Sequence, residues 1–600
     1  MSPVNFSAAD YAVFGVMLGI SALIGFFYAF KDRKKRNTEE FLLGGRNLQI
    51  FPVAMSILAS FTSAISILGF SQEMYRYGTM YWLIGFSYFL TQPFAAHVYV
   101  PMFHKLKITS AYEYLELRFN NTVRVTASLI FCLQMILYMA VVLYTPSVAI
   151  QQVLGLPLWV SILITSVVCT VYTSIGGIKA VIWTDTFQVI VMFSGLFAVI
   201  IKGIIKVGGI SEVWQRIYDS ERVDFFDFNP NPFTRHTFWN LIIGGFFTSL
   251  TVYGSNQATI QRYLTMKTVK DAQKALYINL VGTFLILTIT CITGLIAFAV
   301  YFKCDILSSK QVSKGEQILP YLVMDLLGKL PGVPGLFVAC VYSAALSTVS
   351  SGLNSLAAVC LKDFIQPFWY KNRSLSETKA TNISKILAAL FGLLTIGVAF
   401  LCEYVGATVL QISLSIFGLL GGPLLGVISL GMFCKFANSI GAFVGLVLST
   451  AINLWIGIGA VLHGKPPIPK PVSTEECDLT RVIFKTYSNS TLIPSSQNNF
   501  NITYLYRLSY LWYAALSLLV CFIFGIGISL VTGRVGENQI DDNLIFKWSS
   551  LLCCKKKEEK KEKTMHGRTN YGIDMTGDFT DKNEHIKMNY LNQDTIVTRF

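Results

Sequence analysis

Long apolar segments, separated by polar stretches, recur from one end of the chain almost to the other. A helix needs about 20 apolar residues to cross a bilayer, whereas a transmembrane β-barrel would show alternating segments of about 10 residues. The pattern therefore predicts an all-α polytopic membrane protein with about 13 transmembrane helices. The predicted spans are 9–30, 51–71, 80–103, 124–152, 157–176, 181–206, 237–256, 276–302, 334–360, 381–402, 406–432, 440–463 and 508–532.

Composition and charge exclude several classes of protein. Of the 600 residues, 53% are hydrophobic and only 14% are charged, against about 25% charged in a typical soluble domain. The net charge is +14, but the basic residues lie between the apolar segments and in the tail, so we expect no nucleic-acid partner. There is no GxxxxGK[ST] motif for ATP and no catalytic arrangement of side chains. The chain is predicted not to be an enzyme.

The Lys and Arg residues between the spans predict an orientation. Lys31 to Arg36 form a basic cluster directly after the first span, and such clusters remain in the cytoplasm. Residues 1–8 are then extracellular, 9–532 form the transporter domain and 464–507 form an extracellular loop. Two sequons in that loop predict glycosylation, at Asn489 and Asn501, whereas those at Asn120 and Asn372 are intracellular and should be unmodified. We expect the plasma membrane as the location.

The polar tail, 533–600, is predicted to be cytoplasmic and disordered. Cys553 and Cys554 are either palmitoylated or free. The chain ends with Thr598–Phe600, which fits the ligand pattern of a PDZ domain. Cys304 and Cys477 are both predicted to be extracellular, and whether they form a disulfide stays open at this point.

The second and ninth spans contain unusually many hydroxyl groups for membrane-spanning helices. Small residues and hydroxyls also serve ordinary helix packing, but neutral oxygens at this density suit a weakly held monovalent cation, with carbonyls at a helix break completing the shell. The sequence therefore predicts a cation site between the second and ninth spans. The hydroxyl-bearing residues are Ser56, Ser60, Thr62, Ser63 and Ser66 in the second span, and Ser343, Ser347, Thr348, Ser350 and Ser351 in the ninth.

An acid and a polar stretch mark two further positions. Asp185 lies about four residues into the sixth span, where an acid is costly and indicates a functional site. The alternative is a structural pair with Lys179, and Gln188 follows on the same face. In the seventh span, Gly254 within YGSNQ predicts a break in the helix; an ordinary helix end running into the loop at Arg262 is the alternative.

Five segments together resemble the sodium/solute symporter family: GGIKAVIWTD, YGSNQATIQRY, ALSTVSSGLNS, TSAYEYLELRFN and FGLLGGPLLG. The resemblance covers residues 8–532. It implies a LeuT-type fold in which spans 2–6 and 7–11 are inverted five-helix repeats, with Na+ as the co-transported ion and no other cofactor. By matching position, the sodium ligands are Ala59, Thr62, Ala344, Ser347 and Thr348, and the residues on the sodium path are Asp185 and Gln188. The substrate residues implied are Ser63, Ser66, Tyr144, Tyr253, Asn256 and Gln257.

The resemblance narrows to one branch of the family. Sugar-transporting members have an aspartate where this chain has Asn256, and the seventh span instead resembles the branch of monocarboxylate, multivitamin and iodide symporters, with the multivitamin group most similar. The chain departs from that branch at Phe70–Gln72 and at Thr145. The resemblance implies sodium-coupled import of a small organic anion, either a vitamin such as biotin or pantothenate or a monocarboxylate. The alternatives are an iodide or other small-anion symporter, and a sodium-binding sensor or channel on the same fold.

Overall fold

The computed structural model describes residues 6–31, 38–370, 375–404, 408–463, 467–477, 502–536 and 540–547, all within one compact unit, Met1–Lys547. Backbone groups in a bilayer must find their hydrogen bonds within the protein, and the described residues are accordingly helical, with no strand among them. The α-helices in chain order are α1 Ala8–Lys31, α2 Thr38–Leu43, α3 Ile50–Phe61, α4 Ala64–Tyr77, α5 Ile84–Leu106, α6 Glu113–Arg118, α7 Asn121–Leu154, α8 Leu158–Val207, α9 Ile210–Asp219, α10 Gly245–Gly254, α11 Gln257–Tyr263, α12 Val269–Val300, α13 Ile318–Leu327, α14 Val333–Val359, α15 Gln366–Trp369, α16 Glu377–Leu401, α17 Val409–Ile416, α18 Gly422–Phe433, α19 Ser439–His463 and α20 Tyr513–Thr532.

The predicted helical character is confirmed, whereas the number of spans stays a prediction. Among the described residues, nine helices are long and apolar enough to cross a membrane. Counting the bent pair Thr38–Arg46 and Ile50–Phe61 as one span gives up to ten. The remaining predicted spans coincide with helices that are broken or less apolar, such as α3 with α4.

Helix α14 is the centre of the molecule. Every residue from Phe337 to Val359 is buried, and the helix packs against α1, α3, α7, α8 and α16. A helix buried on all sides exposes no polar face to water or lipid, so its hydroxyls must find partners inside the protein. They bond back to carbonyls of their own helix or to neighbouring helices.

Besides the bend before α3, three helix breaks interrupt the spans among the described residues. Between α3 and α4, Thr62 (φ −83°, ψ 74°) and Ser63 (φ −82°, ψ 173°) leave the helical conformation. Inside α8, Gly177 adopts φ 66° and ψ −169°, which ends the helical path and restarts it; positive φ is readily available only to glycine. The third break lies where the sequence predicts one, since α10 ends at Gly254 and α11 begins at Gln257.

A disulfide joins Cys304 to Cys477, with the two Cα atoms 5.0 Å apart. It connects the segment after α12 to the segment after α19, and the backbone around it is also paired, because Asp305 N–H donates to the Ser473 carbonyl. The question left open by the sequence is thus answered in favour of the bridge.

Asn120 caps α7 by accepting a hydrogen bond from the Val123 N–H, at 3.0 Å.

Several predictions fall on residues outside those described. They concern the sequons at Asn372, Asn489 and Asn501, the cysteines Cys553 and Cys554, and the terminal Thr598–Phe600.

Candidate functional site

Four of the five predicted sodium ligands meet where α3 ends against α14. The hydroxyl of Ser347 donates to the carbonyl of Ala59 at 2.8 Å and to that of Ala344 at 3.1 Å, and the hydroxyl of Thr348 donates to the Ala344 carbonyl at 3.0 Å. All four residues are fully buried. We call their hydroxyl and carbonyl oxygens the oxygen cluster. Neutral oxygens gathered at a helix end form the kind of shell that a hard monovalent cation can occupy.

Thr62, the fifth predicted ligand, lies at the break three residues beyond Ala59. Its backbone N–H donates to the Leu58 carbonyl at 3.0 Å, and it is buried. It also lines a cavity of about 100 Å³ that lies between α3, α4, α5, α7, α10, α12 and α17. The oxygen cluster and the cavity therefore adjoin the same break.

The cavity has hydroxyl and aromatic walls and no charged residue among those that line it. Two of the predicted substrate residues, Ser66 and Tyr253, belong to the walls. The Tyr253 hydroxyl accepts hydrogen bonds from Gln92 at 3.2 Å and from Asn279 at 3.0 Å. The hydroxyl-bearing residues of the walls are Thr62, Ser66, Tyr88, Tyr138, Thr248, Ser249, Tyr253, Thr283 and Ser413; sequence reasoning missed all of these except Thr62, Ser66 and Tyr253.

The other predicted substrate residues lie elsewhere. Ser63 is buried at the start of α4. The hydroxyl of Tyr144 accepts a hydrogen bond from the Lys314 ammonium at 2.5 Å. Asn256 caps α11 by accepting from the Ala258 N–H at 2.9 Å. The Gln257 side chain accepts from the Ala111 N–H at 2.7 Å and donates to the Thr109 carbonyl at 2.8 Å, so it ties α11 to the segment before α6.

Asp185 pairs with an arginine that the sequence treated as a loop residue. Its Oδ2 accepts a hydrogen bond from the Ser56 hydroxyl at 2.6 Å and lies 3.4 Å from Nη2 of Arg262. Both charged side chains are buried, with relative exposures of 0% and 2%. The alternative partner Lys179 instead pairs with Glu40 of α2. The alternative of a structural pair between Asp185 and Lys179 is therefore wrong, because six residues of helix turn the two side chains to different faces, where each meets another partner.

This acid–arginine pair is connected to the oxygen cluster through α14. Arg262 donates to the Ser351 hydroxyl, and the Ser351 hydroxyl donates to the carbonyl of Ser347 at 2.5 Å. The Ser60 hydroxyl lies 3.0 Å from that of Ser351. Asp185 and Ser347 are thus linked by three consecutive polar contacts through two residues, Arg262 and Ser351. Sequence reasoning missed Arg262 as the partner of Asp185. A buried acid usually needs a cation beside it, so a cation distant in the sequence could have been expected.

Gln188, the second residue predicted on the sodium path, is separate from this network. It is fully buried, and its Nε2 donates to the Ser21 hydroxyl of α1 at 3.4 Å. Its Oε1 has no hydrogen-bond partner among the described residues.

A second ionic group lies one turn of α4 beyond the cavity. Phe70 lines the cavity, and Glu73 is paired with Arg235 at 3.1 Å. Arg235 also donates to the Gln411 side chain of α17 at 2.7 Å, and the neighbouring His236 lies 2.8 Å from the Tyr510 hydroxyl. Burial raises the pKa of Glu73, although Arg235 acts in the opposite sense. This ionic group ties α4 to α17 next to the cavity.

The chain is similar to known proteins over most of its length. The model of the sodium:solute symporter family matches residues 41–449. The chain is 45% identical to human sodium-coupled monocarboxylate transporter 1, covering 89% of each chain. It is 44% identical to the sodium-dependent multivitamin transporter of Oryctolagus cuniculus, covering 88% of this chain and 83% of the relative.

A solved structure has the same fold. It is that of a substrate-bound, outward-open Na+-coupled sialic acid symporter, with a TM-score of 0.72 and 25% identity over 89% of this chain and 100% of that one. The predicted LeuT-type fold and sodium-coupled symport are thereby confirmed, and the chain is a multi-pass membrane transporter, not an enzyme. On sequence and on fold alike, the chain belongs to the sodium:solute symporter family.

Proposed function

We propose that this protein imports a small organic monocarboxylate together with sodium by alternating access. The observation that carries the proposal is the break between α3 and α4, which adjoins both the oxygen cluster and the cavity. In this proposal, Na+ binds at Ala59, Thr62, Ala344, Ser347 and Thr348, and the carboxylate binds in the cavity beside Ser66 and Tyr253.

The two helix ends at this break favour opposite charges. The C-terminal end of α3 presents carbonyl oxygens, which attract a cation, and the N-terminal end of α4 presents N–H groups, which attract an anion. Ile65 and Ser66, in the first turn of α4, line the cavity. A carboxylate there would accept hydrogen bonds from hydroxyls and from the helix end without needing a buried positive side chain.

The size of the cavity favours a small solute. Its volume is about 100 Å³, whereas sites for drug-sized ligands have about 300–1,000 Å³. At about 30 Å³ for each water displaced, such a volume fits a short monocarboxylate better than biotin or pantothenate. The two relatives named above are, by their names, a monocarboxylate transporter and a multivitamin transporter. The experiment below therefore compares a monocarboxylate with two vitamins and with iodide.

The sodium gradient supplies enough energy for concentrative uptake. At about −60 mV each positive charge moving inward gains about 1.4 kcal/mol, and a tenfold sodium gradient adds about 1.4 kcal/mol. Two sodium ions with one anion would retain about 4 kcal/mol, which allows about thousandfold accumulation, whereas one sodium ion would allow about tenfold.

Uptake into reconstituted vesicles tests the proposal. Labelled lactate, biotin, pantothenate and iodide are offered separately with an inward sodium gradient and with a matched potassium gradient. We expect lactate to accumulate above its equilibrium level only with sodium, and Tyr253→Phe and Ser66→Ala to raise its KM. The matched control is Ser355→Ala, whose hydroxyl on α14 bonds only within its helix, to the Gly352 carbonyl at 2.9 Å.

Each contrary result points to a different alternative. Accumulation of biotin or iodide but not lactate would refute the monocarboxylate assignment and leave sodium coupling in place. Sodium binding without accumulation of any solute would indicate a sensor or channel.

We also propose the plasma membrane as the location, with the N-terminus outside and the C-terminus inside. The basic cluster after α1 and the sequons at Asn489 and Asn501 support this orientation. Removing the two sequons should abolish the mobility shift produced by a glycosidase applied to intact cells; an unchanged shift would contradict the assignment.

A PDZ-domain protein is the proposed partner of the tail. Deleting Thr598–Phe600 should leave transport per molecule unchanged and reduce retention at the cell surface. Equal surface abundance of the truncated and full-length chains, in cells that express PDZ scaffolds, would contradict this partner.

A further inference from the structure

A groove on the outer surface of the bundle lies between α1 and the second part of α8. It has a volume of about 550 Å³. Four of the large side chains that line it have relative exposures of 38% to 68%, namely Leu23, Phe27, Trp183 and Ile190. The remaining lining residues are Ile24, Tyr28, Thr186 and Phe187. The groove is separate from the cavity and from the oxygen cluster, and shares no lining residue with either.

The two helices approach each other closely at one point beside this groove. A Cβ added to Gly176 would lie 3.1 Å from the Gly25 carbonyl oxygen, so the backbones nearly touch there. Directly afterwards the helical path breaks at Gly177. Trp183, Phe187 and Ile190 are spaced four and three residues apart, which places them on one face of the segment that follows the break.

One end of the groove carries a positive charge. The Lys31 ammonium lies 5.6 Å from the centroid of the Phe27 ring and 5.7 Å from that of Tyr28. Tyr28 in turn stacks against Trp183, with centroids 6.5 Å apart. Tyr and Trp side chains gather at the level of lipid headgroups, and Lys31 is the last residue of α1. The groove is therefore apolar along its length, aromatic near one end, and cationic at that end.

We propose that this groove binds an anionic phospholipid of the inner leaflet, with an acyl chain along the groove and the phosphate at Lys31. Charge complementarity selects this occupant: four more basic residues, Arg33 to Arg36, follow Lys31 within five positions of the sequence. Basic clusters beside a membrane-spanning helix attract anionic lipids. A sterol would fill the apolar groove but has no anionic group to meet Lys31.

The neighbouring acids support the same choice. Glu40 is paired with Lys179, and Glu39 is paired with Arg46. The two carboxylates at the start of α2 are thus engaged with other cations. Among the described residues, the Lys31 ammonium lies against two aromatic rings and in no ion pair, so a phosphate can approach it. This proposal does not depend on which solute the protein transports.

Quenching of Trp183 fluorescence tests the proposal directly. The full-length protein is reconstituted in phosphatidylcholine, and increasing fractions are replaced by brominated phosphatidylserine, brominated phosphatidylcholine or brominated cholesterol, each of which quenches tryptophans that it contacts. The signal of Trp183 is the difference between the wild type and Trp183→Phe, since the chain has 9 tryptophans. Trp455, exposed by 45% on α19, gives the matched control signal in the same way.

We expect brominated phosphatidylserine to quench Trp183 at about fivefold lower mole fraction than brominated phosphatidylcholine, the effect expected for one lysine at the membrane surface. Trp455 should show no such preference. Lys31→Gln should remove the preference, Lys31→Arg should keep it, and Lys206→Gln, in the last turn of α8, should leave it unchanged.

Three results would overturn the proposal. Equal quenching of Trp183 by both lipids would mean that the groove has no headgroup preference. Stronger quenching by brominated cholesterol would identify a sterol site. A preference that survives Lys31→Gln would remove Lys31 as the phosphate ligand.

Discussion

Replacing Ser347 with alanine removes one oxygen from the oxygen cluster, and the structure allows the effect on sodium affinity to be worked out. A hydrogen-bonding oxygen that contacts a charge contributes about 1.5–3 kcal/mol, and one between neutral groups about 0.5–1.5 kcal/mol. The Ser347 hydroxyl donates to the Ala59 carbonyl at 2.8 Å, a bond that it can form whenever no ion is bound. The variant therefore loses a contact in both states, and only the difference, about 1–1.5 kcal/mol, weakens sodium binding.

This difference corresponds to about a five- to twelvefold rise in the sodium concentration that half-activates uptake. The assay is sodium-activated uptake of the transported anion, normalised to the amount of protein at the surface. Thr348→Ala should give a rise of similar size, because its hydroxyl also donates to a carbonyl of the cluster. Ser355→Ala, a buried hydroxyl two turns further along α14, serves as the control. A half-activating concentration within twofold of the wild type in Ser347→Ala would refute the assignment of sodium to this cluster.

Three further outcomes are expected. Asp185→Asn should lower stability, because it leaves the Arg262 guanidinium buried and unpaired, at a cost of about 3–5 kcal/mol; adding Arg262→Gln should restore the melting temperature but not uptake, and restored uptake would make Asp185 a pairing residue only. Replacing both Cys304 and Cys477 with serine should lower stability by about 2–5 kcal/mol, and an unchanged melting temperature would contradict this. Burial, and secondly the charge of Arg235, lower the pKa of His236 in the folded protein well below 6.5. As the pH falls below about 6.5, the unfolded chain therefore binds a proton that the folded chain does not bind, and the folded state loses stability. His236→Gln should reduce the loss between about pH 7.5 and about pH 5.5, and an equal loss would refute this cause.

The parts of this protein that the sequence predicts well depend on local pattern. Apolar segments define where helices lie, because each hydrocarbon-spanning backbone must satisfy its own hydrogen bonds. The YGSNQ stretch places a break at Gly254, and the helix ends there. A helix break was expected at the cation site, but its position at Thr62 and Ser63 was not predicted, because ASFTSAI contains neither glycine nor proline.

The parts that the sequence predicts poorly depend on distant partners. Asp185 and Arg262 are 77 residues apart, whereas Lys179 is the nearest cation along the chain, so sequence distance favours the wrong pair. The substrate residues show the same limit. The YGSNQ motif predicts that Tyr253 and Gln257 both line the substrate cavity. In the structure only Tyr253 does, because the Gln257 side chain bonds to the backbone at Ala111.

The disulfide between Cys304 and Cys477 has a consequence for how the protein is assembled. The two cysteines are 173 residues apart, and helices α13 to α19 lie between them. The bridge can close only after α19 has been synthesised and the segment that follows it has reached the segment after α12. Its formation, visible as a mobility change on a non-reducing gel during a pulse-chase, would therefore time the moment at which both repeats and α19 have come together in the membrane.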